Sequence, residues 1–524
     1  MKRRIFLASA AAANLARPAL AQPVKSLKFV PHADLAALDP IITPAFVTRN
    51  AAMLVFDTLY GIDENFNVQP QMVEGHTIEN DGKTWTLTLR TGLKFHDGSP
   101  VLGRDVVASL KRWAVRDNYA ATVFPLVDEL SAPSDRLVQF RLSRPFRLLA
   151  DLLGKPMPQL PAIMPEHIAQ TSPSAAVSEI IGSGPFRFVP GARVAGARAV
   201  FERFARYIPR SDATSFMAGS KIARFDRIEW HTIPDPATAA AALQSGEIDW
   251  WEAPTPDLLP LLRRNPNITI ATPDLAGVPC VLRFNHLQPP FDRPDMRRAL
   301  LGAFSQTDTM QAVAGEDRAL WRDGVGFFLP GSAMASDAGM EKLNGPRDLG
   351  AVRAALQAAG YRGERIAFPV PTDLPSINAM SEVVADVLKK IGINLDYQAQ
   401  DWATVAQKMG NKGPIDKGGW NLACNIATGF ALINPAAHAY LRGAGEKSLF
   451  GWPTMAKIEA LRSAWIDATD IAEQKRLCAE IQLQAFEDVP YIPLGLYYQP
   501  TAHRKDLSGL VKGGVPLFYN IARG

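Results

Sequence analysis

Cysteine is scarce: 524 residues carry only Cys280, Cys424 and Cys478, far apart and odd in number. At most one disulfide can form, so no cysteine framework holds the fold. No run of about 18 apolar residues occurs beyond the first 21 positions, which excludes a membrane-spanning helix there. Charge of one sign is missing as well. Lys2, Arg3, Arg4 and Arg17 account for the whole formal charge of +4, so the remaining chain is balanced and nothing in it favours nucleic acid or an anionic membrane surface as partner. The eight histidines show no HExxH, no HxxxH and no local Cys/His cluster, so the usual zinc spacings are absent. No Gly-x-Ser-x-Gly elbow marks a nucleophile. No internal repeat or low-complexity linker occurs, which argues for lobes joined by strands.

The first 21 residues have the layout of an export signal. Lys2, Arg3 and Arg4 precede an alanine-rich apolar run, and Ala19-Leu20-Ala21 supplies small residues before an expected cut at Gln22. Arg3-Arg4-Ile5-Phe6-Leu7 also fits the twin-arginine pattern, with an ordinary Sec signal as the alternative. No Cys follows the cut, so a lipid anchor is not expected. A chain of this length exceeds one hydrophobic core, and its grammar is α/β. Trp85, Leu87 and Leu89 alternate with Thr86, Thr88 and Arg90 as in a half-buried strand. Val106, Leu110 and Trp113 fall at helical spacing. The helices expected at 351–359 and 381–391 each run into a glycine, Gly360 and Gly392, and a strand is expected at 393–397.

Three stretches look chemical and fail on context. Gly82-Lys83-Thr84 would need a glycine at position 77, where Thr77 stands, and a helix afterwards, where a strand is expected. His96-Asp97 reads more simply as the end of a strand running into an Asp-Gly turn. Gly182-Ser183-Gly184-Pro185 lacks the third glycine of a dinucleotide fingerprint and also leads into a strand. Lys83 and His96 are therefore expected to be dispensable for any binding function.

What remains is a series of motifs in order. ENDGKTWTLTLRTGLKFHDGSPV with DVVASLKRW, then IIGSGPFRF, IPDPATAAAALQSGEIDW, FNHLQPPFDRPDMRRAL, ALQAAGY, VVADVLKKIGINLDYQAQDW and VPYIPLGLYYQPTAHRKDLSGL together resemble the extracellular solute-binding proteins of family 5, the dipeptide-, oligopeptide- and nickel-type components of ABC importers. The resemblance covers nearly all of residues 22–524. It implies a type II periplasmic binding protein of α/β class, with two lobes, a two-crossover hinge and an inserted extra domain. The first lobe would comprise 22–60, 182–275 and 491–524, the insertion 61–181, and the second lobe 276–490, with crossovers near 272–278 and 488–494.

The implied function is capture of a small or peptide-like solute in the periplasm by a monomer. Delivery would be to an inner-membrane permease with separate ATPase subunits, with no cofactor and no catalysis. A sensor of the same fold and an exported hydrolase are the alternatives. The resemblance places the cleft at Phe46, Arg49, Trp251, Arg283, Asn285, Trp402, Asn425, Phe430, Asn434 and Tyr497. Alternation in Asp249-Trp250-Trp251 sends the two tryptophans to opposite faces of a strand, one toward core and one toward a cavity. Arg49 and Arg283 are candidates for clamping an anionic group, the alternative being pairing with a local acid. Peptide-binding members resemble one another in placing an Asp, which pairs with the ligand ammonium, where this chain has Phe430 or Ala431, and Asn434-Pro435 stands in place of their Asp-Pro. A buried ammonium without a carboxylate costs several kcal/mol, so a zwitterionic dipeptide held in the usual way is not expected.

Overall fold

The computed structural model describes residues 24–524; the export signal expected at 1–21 lies outside them. Ser26–Val30 alternates polar and apolar side chains and buries Leu27 and Phe29 completely. It lies inside a seven-stranded sheet in the order Ile268–Ala271, Thr501–Arg504, Trp250–Trp251, Ser26–Val30, Arg227–His231, Arg198–Arg203, Phe186–Phe188. Ser26–Val30 runs parallel to both neighbours, and the other pairings are antiparallel. A second sheet, all antiparallel, has the order Trp321–Arg322, Tyr491–Tyr497, Val278–Phe284, Leu422–Ile426. Beside it, parallel strands Ile366–Pro371 and Leu395–Gln400 are joined by helix Pro375–Lys390. That helix buries Ile377, Met380, Val384 and Leu388, the i, i+3, i+4 stripe of an amphipathic helix. It ends before Gly392, whose φ is 85°.

The inserted region builds its own antiparallel sheet, Val73–Glu79, Thr84–Leu89, Leu137–Leu142, Val127–Ser134. Trp85, Leu87 and Leu89 are buried in it. Asn80-Asp81-Gly82 forms the hairpin turn, all three residues with positive φ, which Asn, Asp and Gly tolerate best. Helix Gly103–Ala114 covers this sheet with Val106, Leu110 and Trp113, each fully buried. The same helix carries Arg112, which grips Asp39 through two hydrogen bonds of 3.2 and 2.7 Å. Arg112 also donates to the carbonyls of Thr171 and Ala175, while Asp39 accepts from the backbone N–H of Ile41 and Val177. The pair ties the insertion to the segment ahead of the first helix.

The two main sheets share a feature. Ile268–Ala271 pairs with Thr501–Arg504 in the first sheet, and Val278–Phe284 pairs with Tyr491–Tyr497 in the second. One antiparallel ribbon therefore runs through both sheets and is interrupted only at 272–277 and 498–500. Tyr491–Tyr497 is buried throughout within the second sheet, so the chain passes from that sheet to the first at 498–500, after the 488–494 expected from the resemblance. Cys280, Cys424 and Cys478 are all buried and unpaired.

Three histidines are packed into the second lobe and the lobe–insertion seam. Burial, chiefly, holds His96 down at about 4 and His286 and His438 at about 3. Each is neutral in the fold but gains a proton in the unfolded chain below its ordinary value. The stability they contribute is therefore fully present above about pH 6.5 and lost as pH falls toward 4, with a slope of up to about 1.4 kcal/mol per pH unit for each. Asp151, raised to about 6 by burial, works in the opposite sense, as do Asp105 and Asp274, which burial also raises. The melting temperature should fall steeply between pH 6.5 and 4; a flat profile by circular dichroism would refute this account.

Candidate functional site

A cavity of about 740 Å³ lies between the lobes, within the range of small-molecule sites. Both crossovers line it, through Pro273, Asp274 and Gly277 on one side and Tyr498, Gln499 and Pro500 on the other. The first lobe contributes helix Phe46–Val55, buried along nearly its whole length. Glycine sets how closely the chain packs on its end: a Cβ on Gly184 would stand 2.7 Å from Leu54 O, and Gly184 N donates to Val55 O at 2.8 Å. Phe46 and Arg49 of this helix reach the cavity, Arg49 with its guanidinium 4.8 Å from the Phe46 ring centre.

Arg49 is only 4% exposed, yet its Nε and Nη2 donate to Asn50 Oδ1 at 3.1 and 2.9 Å and Nη2 reaches Gly514 O at 3.5 Å, with no hydrogen bond to a carboxylate among the described residues. Burial pulls its pKa down to about 10 against the attraction of Glu252 and Asp274. Asn50 passes the contact on, donating to Glu252 Oε1 at 2.7 Å. The other Glu252 oxygen accepts from His32 N and His32 Nδ1, both at 2.8 Å. Burial opposes the Glu252 charge, but His32 and Arg49 outweigh it and hold the carboxyl below its usual range. Asp274, at the first crossover, accepts from Ala276 N and Gly277 N through Oδ1; burial raises its pKa.

Trp250 and Trp251 take opposite faces of the first sheet. Trp250 packs on Phe29 and Phe518, and Trp251 beside Val30 and Leu243; both touch the cavity at their edges. From the second lobe come Tyr497, Thr428 and the amino end of helix Pro375–Lys390, where Ser376 Oγ lies 3.4 Å from Tyr497 Oη.

Of the residues expected at the cleft, Phe46, Arg49, Trp251 and Tyr497 thus line one cavity, and six do not. Arg283 belongs to a central strand; it is buried, lies over the Tyr440 ring at 4.7 Å and donates to Phe450 O. Asn285 is fully buried and donates to Trp420 O while accepting from Leu287 N. Trp402 packs against the Val405, Met409 and Trp420 cluster. Asn425 closes a local turn on Ile426 N, and Ile426 takes the wall position instead. Asn434 caps Ala437 N. Phe430 has no exposed surface: its ring stacks on Phe216 at 5.4 Å and meets Phe66 edge-on at 5.6 Å. Lys83 and His96 lie outside the cavity wall. Sequence reading missed Asp274, Glu252 and Gly514; the turn-forming run Pro273-Asp274-Leu275-Ala276-Gly277 was the one available signal for the first.

Residues 67–436 match the family model described as bacterial extracellular solute-binding proteins, family 5 Middle. A probable peptide ABC transporter periplasmic-binding protein, y4tO, of Sinorhizobium fredii is 33% identical over 94% of this chain and 92% of its own. Among solved structures, the binding protein AgaA of A. tumefaciens R10, in complex with agropinic acid, superposes with a TM-score of 0.79 at 20% identity over 95% of this chain and 99% of that one. A dipeptide-binding protein from Pseudoalteromonas sp. SM9913 in complex with Met-Leu gives 0.79 at 18% identity, over 95% and 100%. The family and these relatives are binding proteins, not enzymes, and among the described residues no helix is long and apolar enough to cross a membrane. The two-lobe α/β architecture, the cavity at the crossovers and the match over most of the chain agree: this protein belongs to the bacterial extracellular solute-binding proteins of family 5 and serves an ABC transporter as its solute-binding component.

Proposed function

We propose that the protein acts in the periplasm as a monomer that captures a small peptide- or opine-class solute bearing a carboxylate, and hands it to an inner-membrane permease driven by separate ATPase subunits. The observation that carries this reading is Arg49, a buried cation on the wall of an interlobe cavity that has no hydrogen-bonded carboxylate partner among the described residues. A desolvated guanidinium gains most from a bidentate carboxylate. Groups from both lobes and both crossovers surround the solute, so its contacts are complete only when the lobes are together, and binding shifts the hinge toward closure. A micromolar solute supplies about 8 kcal/mol, enough to cover a closure cost of a few kcal/mol. Where peptide binders of the family have an acid, Phe430 is occupied with Phe66 and Phe216, so an ammonium at that place would have no partner.

A thermal-shift screen of peptides, opine-like conjugates and aromatic acids tests the reading, because a ligand of the folded form raises the melting temperature by mass action. At least one carboxylate-bearing member of the class should raise it, and the corresponding amide should not. If no member of the class binds, or if amides bind equally well, the reading fails.

A further inference from the structure

The cavity wall carries opposite charges in a particular order. Among the described residues Arg49 is its single Arg or Lys, whereas four carboxylates line it: Asp34, Glu252, Asp274 and Asp373. Glu252 is engaged through both oxygens, whereas Asp34, Asp373 and Asp274 each accept through Oδ1 alone. Glu252 holds His32 and Asn50, Asp34 accepts from the Thr232 hydroxyl, and Asp373 accepts from Trp402 N. Asp274 differs from the other two in its place: it stands at the first crossover near enough for its charge to act on Arg49, its Oδ1 is fixed by two backbone N–H groups, and its Oδ2 receives no hydrogen bond among the described residues. Gly514 stands between Asp274 and Arg49: its carbonyl faces Arg49 Nη2 at 3.5 Å, and a Cβ built on it would lie 2.9 Å from Asp274 Oδ1 and 3.1 Å from Phe430 Cε2. A side chain at 514 would press on Asp274 and the Phe430 ring, so glycine is what lets this backbone lie against Asp274 while its carbonyl faces Arg49.

Resting on the capture reading above, we propose that Arg49 and Asp274 form a subsite for an α-amino-acid head group, with the carboxylate on Arg49 and the ammonium on Asp274. The solute is then an amino acid or a conjugate joined through its side chain, such as a γ-glutamyl compound, whose α-carboxylate and α-ammonium share one carbon. A purely anionic solute would satisfy Arg49 but face the surplus of carboxylates. An ordinary peptide separates its termini by at least one residue, whereas Arg49 and Asp274 are both neighbours of the single residue Gly514. The remainder of the conjugate extends along Trp251, Tyr497 and Tyr498, which supply apolar wall.

Isothermal titration of the exported protein with γ-Glu-Leu and its isomer α-Glu-Leu separates the possibilities, since the two differ only in linkage. The γ isomer should bind at least tenfold more tightly. Asp274→Asn keeps the acceptor for Ala276 and Gly277 N–H and should weaken the γ isomer 10- to 100-fold without changing the melting temperature of the free protein. The N-acetylated γ isomer should bind the wild type and the variant alike. Tighter binding of the α isomer, or an unchanged γ affinity in the variant, would overturn the proposal. If neither isomer binds while another carboxylate-bearing solute raises the melting temperature, the subsite is refuted and the capture reading stands; if nothing in the class binds, both fall.

Discussion

Arg49→Gln should weaken solute binding about a hundredfold while leaving the ligand-free protein as stable as before or more so. The guanidinium is buried and its own partners are the neutral amide of Asn50 and a long contact to Gly514 O, so its desolvation is not repaid by an ion pair within the fold. Gln retains an N–H donor for Asn50 Oδ1 and removes the charge. Loss of one partner from a desolvated charged contact costs about 3 kcal/mol, which is roughly a factor of one hundred in Kd. Titration calorimetry reads the affinity and thermal melting reads the fold. An unchanged Kd would remove Arg49 from the site, and a collapsed melting temperature would make its role structural.

The second large effect concerns stability. The Arg112–Asp39 pair has side chains 2% and 1% exposed, and every remaining oxygen or N–H of consequence is satisfied by backbone. Arg112→Ala leaves a carboxylate in a dry interior and should cost about 3–5 kcal/mol. Replacing both partners together by apolar residues of similar volume should cost much less, because no uncompensated charge remains. Urea unfolding of the two variants decides the matter: equal losses would mean that lost packing, not the stranded charge, is responsible. Surface pairs such as Arg144–Asp467, about half exposed, should contribute under about 1 kcal/mol.

What could be read from the chain follows from the range of the interactions that decide it. Trp85, Leu87 and Leu89, or Val106, Leu110 and Trp113, announce themselves because their periodicity is local and their partners lie within one sheet. Helix Pro375–Lys390 begins six residues before the position expected from its apolar stripe, because its first turn has no side-chain cap to mark it and Pro375 serves at the first helical position instead. At the site, Phe46, Arg49, Trp251 and Tyr497 were reachable through resemblance and strand alternation. Arg283 lies off the cavity wall, in Val278–Phe284, which is flanked on both edges by other strands, and Asn425, in the edge strand Leu422–Ile426, spends its side-chain oxygen on Ile426 N. Asp274 and Gly514 are separated by 240 positions and meet only because the crossovers fold back beside one another. No local pattern encodes that meeting. Phe430 shows the converse: its place in the chain pointed to the ligand, while its ring is held by Phe66 and Phe216 from regions that local reading treats as unrelated.

The ribbon that threads both sheets limits how the lobes can move. Each ladder lies wholly within one sheet, so motion of one lobe against the other is taken up at the two unpaired spans, six residues on one strand and three on the other, and leaves the hydrogen bonds of both ladders in place. Folding across the gap breaks none of them. A hinge built this way would confine bending to 272–277 and 498–500 and carry each sheet as a rigid leaf.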